Sequence, residues 1–95
     1  MEGFDIQISI PADGDYDFDK TDSDYDFESA LKIGRELEEF LGRQPEDTRA
    51  YLGMHNITFG CPSQAETDAL VLRVYDWADE RGLDLVVNVV YWTFD

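Results

Sequence analysis

Apolar and polar residues alternate with a period of two at the start of the chain. Phe4, Ile6, Ile8 and Ile10 are separated by Asp5, Gln7 and Ser9. That period marks a strand with one buried face. Asp13-Gly14 is a hairpin-turn signal, and Asp15-Tyr-Asp-Phe-Asp19 resumes the alternation. Residues 4–19 are therefore predicted to form a β-hairpin. Its second strand would turn Tyr16 and Phe18 inward and Asp15, Asp17 and Asp19 outward.

The period then changes to that of a helix. Phe27, Ala30, Leu31, Gly34, Leu37 and Leu41 recur at three and four, with Ile33 and Phe40 widening the stripe. The spacing predicts a helix from an N-cap at Asp26 to Leu41, stopped by Gly42 with Pro45 beyond it. Residues 50–60 read as a strand whose phase slips between Leu52/Met54 and Ile57/Phe59, which a bulge near His55-Asn56 would explain. Ser63-Gln-Ala-Glu66 is a capping box, opening a helix that runs to about Arg81 and stops at Gly82. Its apolar set is too broad for one face, so the helix is either deeply covered or in contact with another chain. The last segment, Leu83–Phe94, is apolar in both phases, as central strands are.

These elements predict a single small α+β domain spanning residues 1–95, in the order β-β-α-β-α-β. An N-terminal β-hairpin would feed a roughly four-stranded sheet packed with two helices on one face or on both. The length suits one domain with one core. No apolar run approaches the ~20 residues of a membrane helix. The first residues lack the basic and apolar regions of a signal peptide, so the expected setting is cytoplasmic. One cysteine, Cys61, and one histidine, His55, provide neither an internal disulfide nor a structural zinc site.

Charge changes the picture most. The 95 residues carry 22 Asp+Glu against 7 Lys+Arg, a net charge of −15. Direct nucleic-acid binding needs clustered cations, and docking on anionic lipid needs a polybasic segment; both are excluded as expectations. Disorder is excluded too, because 43% of residues are apolar and 14% aromatic. The acids are concentrated. Asp13, Asp15, Asp17, Asp19, Asp22, Asp24, Asp26 and Glu28 face a single base, Lys20, in sixteen residues, and Asp-Tyr-Asp-Phe-acid occurs twice.

In an extended strand, same-face carboxylates lie about 6.6–6.8 Å apart, two strand rises. That is close to the scale of phosphates along a nucleic-acid strand. Aromatics between the acids would hold the row on a rigid sheet and limit the ordering cost of binding. Helix acids Glu36, Glu38 and Glu39 would extend the surface. The plainer alternative is a solvated acidic face serving solubility or salt tolerance. A salt adaptation should spread its charge, however, and residues 1–48 carry −11 against −4 for the remainder.

Other chemistry fits less well. Residues 17–28 place Asp and Glu at positions 1, 3 and 12 of an EF-hand frame. Asp22 then stands where the sharp turn needs glycine, and no helix precedes the loop. No metal site is assigned. His55 and Cys61 are the only nucleophile–base candidates, with nothing to orient them, and no glycine-rich phosphate loop is present. No catalytic residue and no cofactor is expected.

The sequence thus points to a non-enzymatic inhibitor that occupies a basic nucleic-acid-binding surface of a target protein or nuclease complex by mimicking nucleic acid. Phage counter-defence inhibitors of the anti-CRISPR and anti-restriction kind share this size and charge. The alternatives are an immunity protein neutralising a nuclease toxin, and a metal-responsive acidic module or structural subunit. Trp77, Trp92, Tyr91 and Phe94 are read as core, and the breadth of the second helix leaves a homodimer contact open.

Overall fold

The computed structural model describes residues 2–11, 27–51 and 53–93. They form β1 (Glu2–Pro11), α1 (Glu28–Leu41), β2 (Asp47–Tyr51), β3 (Met54–Cys61), α2 (Gln64–Arg81) and β4 (Val86–Thr93). The strands make one sheet in the order β2-β3-β1-β4, and every pairing is antiparallel. The domain is α+β with four strands and two helices, as expected. The order is β-α-β-β-α-β, the split β-α-β or ferredoxin-like arrangement.

β1 carries the sheet. Its alternation puts Ile6, Ile8 and Ile10 on one face, all essentially inaccessible to solvent. They are paired with Phe59, Ile57 and His55 of β3. On its other edge, β1 sets Ile6 opposite Val89 and Ile8 opposite Val87 of β4. Both helices lie over this face. α1 contributes Ala30, Leu37 and Leu41 to the core, and α2 contributes Leu70, Val74, Trp77 and Ala78. Among the described residues no helix covers the opposite face, which carries Asp5, Gln7, Asn56 and Thr58.

Three departures from the sequence reading have physical causes. Residues 47–61 form a hairpin, not one bulged strand. The chain reverses at residues 52–53, between the paired Tyr51 and Met54, and Gly53 supplies the positive φ of 71°. The phase slip marks that reversal. Past it, His55, Ile57, Phe59 and Cys61 share one buried phase. β2 was not foreseen because Asp47-Thr-Arg-Ala-Tyr51 has no apolar alternation; it is an exposed edge that β3 recruits.

The last strand lies at the sheet's edge, not its centre. β1 holds the central place because α2 carries the chain from β3 to the far side of β1. β4 therefore keeps apolar residues at the surface, with Val86, Val89, Val90 and Tyr91 all exposed. Finally, the N-cap position of α1 is Phe27, with no side-chain cap bond. Asp26 and the expected second hairpin strand, 15–19, lie outside the described residues.

The second helix begins as predicted. Ser63 Oγ accepts a hydrogen bond from the Glu66 backbone N–H at 3.3 Å. The Thr67 hydroxyl donates to the Ser63 carbonyl at 2.8 Å. Both helices end on left-handed glycines, Gly42 and Gly82. α2 is not deeply covered, however: Leu72 and Tyr75 are exposed.

The burial pattern sets a stability contrast within one strand. Ile8→Ala should cost about 2–5 kcal/mol, much of the 5–15 kcal/mol that holds a typical domain. Gln7→Ala, one residue away on the open face, should stay within about 0.5 kcal/mol. Urea denaturation midpoints at constant slope read both.

Candidate functional site

The expected partner-binding residues divide between regions. Asp13, Asp15, Asp17, Asp19, Asp22, Asp24 and Asp26 lie outside the described residues, so no geometry is assigned to that row. Glu28, Glu36, Glu38 and Glu39 are all on α1. The buried stripe Ala30, Gly34, Leu37 and Leu41 points to the sheet, so helical spacing turns Glu28, Glu36 and Glu39 to solvent. Lys32 and Arg35 stand among them on that outward face. Glu38 is half-buried on the helix flank, near enough to His55 to act on its charge. The structure thus brings three of the four helix acids onto one face and turns the fourth inward.

A second acidic surface was not legible beforehand. On the open side of the sheet, Asp5, Glu46 and Asp47, with Arg49 beside them, border a shallow concavity of about 530 Å³, with Gln7, Asn56 and Thr58 on its floor. Asp5 is fixed by the Trp92 indole, whose Nε1–H donates to its Oδ1 at 3.3 Å. Trp92 lies flat over Gly3, where any β-carbon would collide with its ring. The Glu46 carboxylate lies over Gly60 in the same way. Ser9 Oγ donates to Asn56 Oδ1 at 2.5 Å, and Asn56 Nδ2–H reaches the Arg49 and Met54 carbonyls. The floor is a satisfied polar network on paired strands. These groups come from β1, β2, β3 and the turn before β2, and only the strand order reveals that they converge.

The cations have other occupations. Arg43 caps the α1–β3 corner: its guanidinium lies 5.6 Å from the Phe59 ring centroid and donates to the Gly60 carbonyl at 2.6 Å. Arg73 lies 5.1 Å from the Phe40 ring and donates to the Phe40 carbonyl at 3.3 Å. Arg81 lies 4.4 Å from the Trp77 ring. Phe40 and Trp77 stack at 6.1 Å, so Arg73 and Arg81 bracket the α1–α2 seam. Between described residues the single ion pair is Arg49–Asp47, at 3.7 Å and largely exposed. Such a pair contributes about 0–1 kcal/mol.

His55 and Cys61 have structural places. Both are buried on the helix face of β3. His55 packs against Gly34 of α1, where an added β-carbon would come within 3.1 Å of the imidazole. Burial holds the His55 pKa below its ordinary 6.5, with the Glu38 charge opposing. Cys61 Sγ accepts a long contact from Arg43 at 3.8 Å. No group of three or more His, Cys, Asp or Glu among the described residues is arranged to hold a metal ion. No helix among them is long and apolar enough to cross a membrane.

Compared with family models, curated proteins and solved structures, the chain matches none. The class is thus set by topology, an acidic split β-α-β domain, and that topology hosts many unrelated functions.

The His55 environment gives a pH prediction with a definite sign. The unfolded chain takes up a proton as pH falls through about 6.5, while the folded protein resists until lower pH. His55 therefore lowers stability as pH falls below that value and has no effect above it. The change in denaturation midpoint from pH 7.5 to 5.5 should be more destabilising, or less stabilising, for the wild type than for His55→Gln. Equal differences would remove this role.

Proposed function

We propose that the protein is a non-enzymatic inhibitor that binds the basic nucleic-acid-binding surface of a target protein by presenting carboxylates in place of phosphates. The observation that carries this reading is where three of the five described arginines lie. Arg43, Arg73 and Arg81 sit over Phe59, Phe40 and Trp77, and the one ion pair between described residues is exposed. Lys32, Arg35 and Arg49 remain among the carboxylates, but with half of the described cations used as ring covers the acids stay in excess and the surface keeps a negative field. A surface built only for solubility gains from mixed signs; a phosphate mimic gains from acids in excess of cations.

The open sheet face supports the same reading by its chemistry. Sheets of this topology that bind RNA place stacking aromatics on their central strands. Here those strands show Asp5, Gln7, Asn56 and Thr58. Complementary charge would speed association with a basic target and make it sensitive to salt. A phage counter-defence role, of anti-CRISPR or anti-restriction type, is the setting that fits such an inhibitor.

The triple variant Asp15→Asn, Asp17→Asn, Asp19→Asn tests the reading directly. Captured from host lysate at low salt, the wild type should recover a basic nucleic-acid enzyme, lose it at high salt, and compete with that enzyme's nucleic acid. The variant should compete at least about tenfold less well. Undiminished competition by a variant with an unchanged melting curve would rule out the 15–19 row as the mimic.

A further inference from the structure

Among the described residues, β4 is an edge strand without the usual protections. Sheet edges are normally blunted by charge, proline or a bulge, because a row of unpaired backbone groups recruits other strands. Leu85–Phe94 contains no charged residue and no proline, in a chain that is 31% charged. β1 pairs with it continuously from Val86 to Thr93 with no bulge in the register. Among the described residues, no strand lies on its other side. Both of its faces are apolar and accessible: Val89 is 47% exposed and Tyr91 56% on the helix side, Val86 46% and Val90 43% on the open side.

α2 also carries apolar residues on one flank. Trp77 and Arg73 of α2 face α1 through Phe40. Helical spacing then puts Val71 and Tyr75 on the flank turned away from α1, where Tyr75 remains 43% exposed.

We propose that β4 pairs antiparallel with β4 of a second copy, joining two sheets into one of eight strands around a two-fold axis. Charge selects this occupant. A basic partner is drawn to the acids, and this edge offers it none. Two copies at −15 repel over their surfaces, so contact is cheapest where neither carries charge. Geometry agrees. A two-fold axis perpendicular to the sheet keeps each residue on its own face, so paired residues must share a phase. An axis at Val89 sets Val89 against its own copy, Val87 against Tyr91 and Asn88 against Val90. Apolar residues then meet across the axis on the helix side. Covering the β4 edge and its side chains on both faces would remove on the order of 500 Å² per copy, near the ~1,000 Å² total that a specific interface needs.

Sedimentation equilibrium of the full chain over a wide concentration range tests this. The wild type should rise from its monomer mass of 10.9 kDa toward twice that value. Association should strengthen as salt is raised from ~50 mM to ~500 mM, because the opposing force is screened repulsion. That is the reverse of the salt response expected for a basic target, so the two contacts are separable. Val89→Lys and Val89→Asp should each weaken self-association about tenfold or more, by setting like charges face to face, and an equimolar mixture of the two should regain it. Far-UV circular dichroism checks their fold. Asn88→Lys, which charges the same edge without removing apolar surface, should also dissociate the dimer. A wild type that stays at 10.9 kDa, or folded variants that associate as the wild type does, would overturn self-pairing.

Discussion

The domain depends on one row of side chains, Ile6, Ile8 and Ile10 on the helix face of β1. Both helices rest on the face they define, and β1 is hydrogen-bonded on both edges, to β3 and to β4. Because both helices lie on that one side, all deep burial lies there too. The other face must satisfy its polar groups by hydrogen bonds within the sheet, and Ser9, Asn56, Asp5 and Trp92 do so. The same constraint leaves β2 and β4 as edges. β2 is short and polar, which makes a safe edge; β4 is long and uncharged, which does not.

Charge is the second constraint, and it is linked to the first. A small domain with 22 acids and 7 bases cannot offset its self-repulsion by ion pairing alone. Three of its five described arginines instead strengthen the contact between layers. Arg43 ties α1 to the end of β3, and Arg73 and Arg81 bracket the Phe40–Trp77 stack between the helices. Cation–π contacts of this exposed kind contribute about 0.5–1 kcal/mol each. In the proposed inhibitory role, the negative surface that this packing leaves is what a basic partner would meet.

Legibility varied with the range of the interactions. The capping box at Ser63, the glycine stops at Gly42 and Gly82, and the alternation of β1 are local, and each appears where the residues imply. The hairpin of β2 and β3 was misread because its evidence is negative: β2 has no apolar phase of its own, and Gly53 looked like part of a strand. The convergence of Asp5, Glu46 and Asp47 depends on strand order, which residue patterns do not encode. The acidic row 13–26, the strongest signal in the sequence, lies outside the described residues, so its geometry rests on residue spacing alone.

By itself the sequence determined the element types, the helix boundaries near Ser63, Gly42 and Gly82, the one-sided core of β1, and an acidity too clustered to be a bulk property. These follow from period, cap chemistry and charge, all set within a few residues of chain. Only the tertiary structure decided that β1 is central and β4 peripheral. It also decided that the arginines cover aromatic rings, and that a second group of acids borders the open sheet. Those outcomes depend on which strand pairs with which. Pairing is settled by how the two helices cover one shared face, a competition among distant segments that no local pattern records.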